Sequence, residues 1–295
     1  MKKCIICMML IASVLCVMAC KKDKKETPTT TAKETISLLT KLDSTTYFET
    51  YEYDDANNLT KVLTYNLDEV LTAHYEYEYK PSTSLKTKMS CFDESDGSLS
   101  WYAIYEYDDN NQLISETEYE SNGNAYSKYV YEYNSNGLLS KKYCYEGDET
   151  PYCIYTYIYD EKKNPLFVNC YDKNDNLTSK MSYEYSYDNK GNIIKYKEMD
   201  SDNLILWYEA TYNDKGDRIS YKTLNASGVA QSYLTYSIEY DSKGNITKHS
   251  SKDAYGNVSL SIDYAYDEYG NVTSEITYDA TGNIVAWNYK TYSYK

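Results

Sequence analysis

Cysteine is the most reactive side chain in this 295-residue sequence, and its eight copies fall into two groups. Cys4, Cys7, Cys16 and Cys20 crowd an apolar N-terminus, whereas Cys91, Cys144, Cys153 and Cys170 lie well inside the chain. In YCYEGDETPYCIY, Cys144 and Cys153 are symmetric about a turn, as are Tyr145 and Tyr152. Those positions suit a cross-strand disulfide in an oxidising compartment, or equally a pair of half-buried thiols. The four later cysteines form no Cys-x-x-Cys pair and the chain has only two histidines, so no metal site is expected. The acidic side chains are numerous, but no carboxylate pair stands out as an acid and base set at glycosidase spacing. No catalytic residue, no enzyme activity and no cofactor are therefore expected. Three tryptophans, Trp101, Trp207 and Trp287, each follow a turn by four or five residues. Rings so placed should lie on one side of the molecule, where they either stack on sugar rings or cap rows of neighbouring tyrosines.

The N-terminus carries an address. Lys2 and Lys3 precede an uncharged apolar run from Ile5 to Val17, which is short for a membrane span and has the length of a leader segment. It ends in Val17-Met18-Ala19-Cys20, which resembles the lipobox of bacterial lipoproteins. That resemblance implies cleavage before Cys20, a diacylglyceryl group on its sulfur and acylation of the new N-terminus. Two or more acyl chains anchor stably, since each buried methylene contributes roughly 0.8 kcal/mol. The following KKDKKETPTTTAK is too polar to bury a core and reads as a flexible tether. Lys21, where enteric-type sorting uses Asp for inner-membrane retention, leans towards the outer membrane in a host with two membranes.

Composition narrows the rest. The formal charge is −15, and about −17 without Lys2 and Lys3. An acidic chain whose one arginine is Arg218 argues against nucleic acid, which is bound through phosphate neutralisation. Tyr outnumbers Phe by 40 to 3. Tyrosine joins an apolar ring to a polar tip and suits a surface that is half buried and half wet.

Tyr-x-Tyr-Asp-x-x-Gly-Asn followed by an aliphatic residue recurs along the chain, as YSYDNKGNI from Tyr185, IEYDSKGNI from Ile238 and YAYDEYGNV from Tyr264. The Asp-equivalent positions are 108, 134, 160, 188, 213, 241 and 267, with gaps of 26, 26, 28, 25, 28 and 26. A second turn series, such as YESNGN from Tyr119 and YDATGN from Tyr278, follows each by 12 residues. One repeat thus holds two turns and two strands of ordinary length. The turns suit a three-residue hairpin loop, with Asp bonding the local backbone and Gly taking positive φ. Where Gly is missing, Asn57, Asn111, Asp175 and Asn203 are the expected substitutes, and Lys163 breaks the pattern. Calcium is a weaker reading of these turns, because each offers one carboxylate to an ion that takes six to eight oxygens. The strands alternate with period two, setting Tyr on one face against Glu, Lys, Ser and Thr on the other. Residues 33–42 could form a helical turn.

The repeated motif resembles the YD repeat of the RHS family over roughly Tyr47 to Lys295. That family builds β-hairpin strips in secreted and surface proteins, large members spiral into a shell around a toxin, and YD repeats have been associated with carbohydrate binding. Here the family's usual Gly-Arg is Gly-Asn, apart from Gly216-Asp217-Arg218, and the last residues form another strand. The expectation is a leader over 1–19, a lipidated cysteine and tether over 20–42, and an all-β domain over 43–295. That domain should be a long, twisted antiparallel meander of hairpins, curled or solenoid-like. It should be lipid-anchored in the cell envelope and act as a binding or adhesion module for glycan or another surface protein. The alternative is a structural or antigenic coat protein without a small ligand.

Overall fold

The computed structural model describes residues 36–147 and 149–295. The expected leader, Cys20 and the expected tether up to residue 35 lie outside the described residues. Twenty strands follow one another. The first ten are β1 Ser37–Ser44, β2 Tyr47–Tyr53, β3 Leu59–Asn66, β4 Leu71–Tyr79, β5 Lys86–Phe92, β6 Leu99–Tyr107, β7 Leu113–Glu120, β8 Ala125–Tyr133, β9 Leu139–Tyr145 and β10 Cys153–Tyr159. The second ten are β11 Pro165–Asp172, β12 Leu177–Tyr187, β13 Ile193–Asp200, β14 Asn203–Tyr212, β15 Arg218–Leu224, β16 Ala230–Tyr240, β17 Ile246–Lys252, β18 Val258–Tyr266, β19 Val272–Asp279 and β20 Ile284–Tyr294.

Every strand pairs antiparallel with its sequence neighbours, and β1 also pairs with β20 over seven residue pairs from Ser37↔Tyr294 to Ser44↔Asn288. The meander is therefore neither open nor a solenoid: it closes into a 20-stranded barrel. Closure removes the two exposed edges that a meander would present. It also moves the domain boundary. Residues 37–42, expected at the end of the tether and within reach of a helical turn, belong to β1, because they supply the strand that joins β2 to β20. At the seam, the Ile36 and Lys295 backbones exchange hydrogen bonds of 3.1 and 3.0 Å.

One turn geometry serves both rims. At Asp241 the backbone N–H donates to the Asn245 carbonyl (2.9 Å) and the Gly244 N–H donates to the Asp241 carbonyl (3.1 Å). The Asp241 carboxylate accepts the Lys243 and Asn245 backbone N–H groups and the Asn245 side-chain amide. The same set recurs at Asp253, in the other series. This is a type I turn closed by a left-handed residue, the three-residue hairpin. Gly244 has φ +90°, and Asn57, Asn111, Asp175 and Lys163 fill the equivalent slot at φ 61° to 67°. Asn203 does not. Only Ser201 and Asp202 bridge the Asp200↔Asn203 pair, so the positive φ (54°) falls on Ser201.

Few side chains are sealed. Val168, Tyr183 and Tyr196 form the buried cluster, flanked by partly buried rings such as Tyr157, Tyr185 and Tyr208. A ring of about eight strands is just filled by its own side chains, whereas one of sixteen or more leaves a wet interior. Twenty strands with so small a core fit the second case.

Candidate binding face

Register divides the wall into two faces. Tyr105↔Glu116↔Tyr129↔Cys144↔Cys153 lie on one, as do Tyr131↔Lys142↔Tyr155↔Cys170 and Tyr185↔Tyr196↔Tyr208. The other face carries cross-strand ion pairs: Lys61–Glu76 (3.3 Å), Lys88–Glu78 (3.3 Å), Lys222–Glu209 (2.6 Å) and Lys248–Asp263 (3.0 Å). Burial of large side chains is concentrated on the Tyr face, while the ionic face buries small serines such as Ser90 and Ser115. It is the leading cause that raises the phenols of Tyr105, Tyr131, Tyr157, Tyr185 and Tyr196, all on the Tyr face. It also pushes Tyr183 and Tyr208 up to about 12. On the opposite face, the Lys248 ammonium is raised first by its hydrogen bond to Asp263. In a closed single layer, the face that gathers protein around it is the concave one, so the Tyr ladder points inward.

The ladder is continuous across β12–β15. Ring centroids are 5.5 Å apart for Tyr185–Tyr196 and 5.1 Å for both Tyr196–Tyr208 and Tyr208–Tyr221. Arg218 ends this run, with its guanidinium 4.8 Å from the Tyr221 centroid and 5.6 Å from that of Tyr236. Most of these rings remain half buried, so solvent reaches the face, while Tyr183 and Tyr196 are nearly closed off at 6% and 7% exposure.

Further along the same face, charged groups sit among the rings. The Lys86 ammonium lies 5.0 Å from the Tyr77 ring and 5.1 Å from that of Tyr105. Lys142 lies 4.0 Å from Tyr129 and 5.8 Å from Tyr131. The Tyr131 hydroxyl donates to Glu116 at 3.2 Å. Burial pulls the Lys86 ammonium down and pushes the neighbouring Glu118 carboxyl up, with Glu116 adding to the Glu118 shift. Rings with protonated hydroxyls, two ammonium groups and a carboxylate pair at i and i+2 thus share one wet surface. Such a surface can hold a polar ligand that has apolar faces. The sequence reading did not single out Lys86, Glu116, Glu118 and Lys142. Their signal was the register: Glu116 stands opposite Tyr105 and Tyr129, which counting back from the two flanking turns would have shown.

The tryptophans do not lie on one side of the wall. Trp101, paired with Cys91 and Glu120, is on the Tyr face. Trp207 pairs with Lys197 and Trp287 with Ile276, both on the ionic face. Trp101 stands four residues past the left-handed Gly97 and Trp287 five past Gly282, which alternation sends to opposite faces, and the shorter Ser201–Asp202 loop moves Trp207 to the same side as Trp287. Trp207 is covered by the Lys197 ammonium at 4.4 Å and packs beside Gly228, where an added Cβ would come within 3.3 Å of the indole. Trp287 packs on Tyr289 at 5.2 Å.

Cys144 and Cys153 are direct cross-strand partners, as their symmetry about the turn suggested. All four cysteines of the barrel are thiols. The Cys153 sulfur lies 2.9 Å from that of Cys170 on β11.

No family model matches the chain, and no curated protein sequence matches it either. Among solved structures, a Tc holotoxin pore of Photorhabdus luminescens carrying a TccC3 mutation is similar at 14% identity and TM-score 0.38, over 81% of this chain. The chain spans only 14% of that toxin chain. A porin-like protein from Bacteroides uniformis is similar at 12% identity and TM-score 0.34, over 86% of this chain and 98% of that one. A second porin-like protein, from Bacteroides vulgatus, is similar at 10% identity and TM-score 0.26.

Proposed function

We propose that this protein is an envelope lipoprotein whose barrel, held to a membrane through Cys20, binds extended carbohydrate along its concave Tyr face. The observation that carries the reading is the wet, continuous Tyr run with Lys86, Lys142, Glu116 and Glu118 set among its rings. Sugar rings have apolar faces that match aromatic ones, and hydroxyls that match phenols, carboxylates and ammonium groups. The anchor, and not the wall, would make the membrane contact. A membrane barrel needs an outward apolar band, whereas both faces here carry charge at mid-strand, with Glu76, Glu209 and Lys222 on one and Glu116, Lys142 and Glu275 on the other.

The two faces give the test its control. The purified protein is applied to a glycan array beside Trp101→Ala, on the concave face, and Trp207→Ala, on the ionic face. Retention of one glycan class, weakened several-fold by Trp101→Ala and unchanged by Trp207→Ala, is the expected result. An array without retained glycan, or equal loss in both variants, would sink the carbohydrate reading. The coat-protein alternative is favoured by one observation, the outward ladder of ion pairs. It predicts cleavage by protease on intact cells with no glycan retained.

A further inference from the structure

We infer that Cys144, Cys153 and Cys170 form a thiol–disulfide exchange site in the barrel wall, in which Cys153 alternates between two disulfide partners and the co-reactant is a low-molecular-weight disulfide. Three strands place the thiols on one face. Cys144 on β9 stands directly opposite Cys153 on β10, and Cys170 on β11 stands opposite Tyr155, one diagonal step from Cys153. The Cys153 and Cys170 sulfurs are 2.9 Å apart. Cys153 is held well below the usual thiol range by hydrogen bonds from Cys144 and then Cys170, and the bond to Cys153 pushes Cys170 up. The acidic direction thus falls on the central sulfur and the basic one on Cys170. Cys144 and Cys153 are buried, whereas Cys170 is half exposed and is the point of entry.

The chemistry balances in three steps. Cys153 first takes the Cys170 proton across their 2.9 Å contact, and the Cys170 thiolate so formed attacks one sulfur of the reagent RSSR, whose S–S bond breaks to release RS⁻. The Cys153 sulfur then attacks the Cys170 sulfur, and its proton leaves with the second reagent sulfur as RSH. Two protein thiols have been oxidised and one disulfide reduced. Finally the Cys144 sulfur attacks Cys153, and its proton passes to the departing Cys170 sulfur. This last step moves the disulfide without net oxidation.

The site straddles a short seam. β9 and β10 pair over four residues, from Cys153↔Cys144 to Thr156↔Lys141, whereas β10 and β11 pair over seven. A Cys144–Cys153 bond staples the short seam beside the loop over 146–152. A Cys153–Cys170 bond staples the long seam and leaves the short one to its hydrogen bonds.

The test incubates the full chain with oxidised and reduced glutathione at several ratios, quenches with acid and alkylating agent, and maps linkages by mass spectrometry. Both Cys153–Cys170 and Cys144–Cys153 should appear and interconvert, with glutathione on Cys170. Failure of either linkage at a ratio where Cys91 already carries glutathione would overturn the site. So would a Cys144–Cys170 bond formed as readily as the other two. In Cys170→Ser refolded from denaturant with oxidised glutathione, where Cys144 and Cys153 meet the reagent directly, proteolysis over 146–152 should be several-fold slower than in Cys144→Ser oxidised in the same way. Equal rates would overturn the coupling of exchange to the seam.

Discussion

Single residues hold the turns, and their carboxylates make the fold acid-sensitive. The Thr281 hydroxyl, then the backbone N–H groups of Asn283 and Thr281, hold Asp279 down at about 2. Asp188 and Asp241 are lowered as well, first by the Asn192 and Asn245 side-chain amides. A depressed carboxylate contributes stability that is present above its unfolded value near 3.8 and lost as pH falls through its folded one. The window is thus about pH 4 to 2. Asn already opens four of these turns, at Asn66, Asn134, Asn213 and Asn225, and accepts the same backbone bonds. The triple variant Asp188→Asn, Asp241→Asn, Asp279→Asn should therefore melt like the parent at neutral pH and lose less Tm between pH 4 and 2. Calorimetry across that range decides it, and parallel losses would refute the assignment. Much at this scale was legible beforehand, because Asp, Asn and Gly act locally. Ser201 was not, since a two-residue loop depends on where two strands fall into register.

At the scale of the element, the last Tyr of each even strand braces the strand before it. Tyr79, Tyr107, Tyr133 and Tyr266 donate to the carbonyls of Leu59, Lys86, Leu113 and Ile246 at 2.7 to 2.8 Å. Where the repeat lengthens to 28 residues, the strand has 11 residues instead of 9 and its last Tyr moves on to a carboxylate. Tyr187 reaches Asp160 at 2.8 Å, Tyr240 reaches Asp217 at 2.5 Å and Tyr294 reaches Asp267 at 2.6 Å. The unequal spacing read from the sequence thus becomes a choice of hydrogen-bond partner. Tyr133→Phe removes one neutral bond and should cost about 1 kcal/mol in urea unfolding, with Tyr187→Phe costing more because its acceptor is charged. A Tyr133→Phe protein as stable as the parent would show that the brace contributes nothing net. The tryptophan faces were misread at this scale, because four and five residues from a turn are opposite faces and because the loop before Trp207 is shorter than the others.

Closure belongs to the whole molecule. β1 holds β20 over seven residue pairs but β2 over only three, so it is the strand that closes the ring. Deleting residues 36–44 should leave β2 and β20 as open edges and cause concentration-dependent association. Sedimentation velocity reads this directly, and a monomer with unchanged melting would show that the ring does not depend on β1.

The sequence alone determined the all-β character, the hairpin period, the turn chemistry and the presence of a Tyr-rich face. Each follows from residues a few positions apart. Tertiary structure decided what the period could not: that the meander closes, that Tyr takes the concave side, and that Cys170 joins Cys144 and Cys153. Closure depends on twist and stagger summed over twenty strands, to which every repeat adds and which no single repeat reveals.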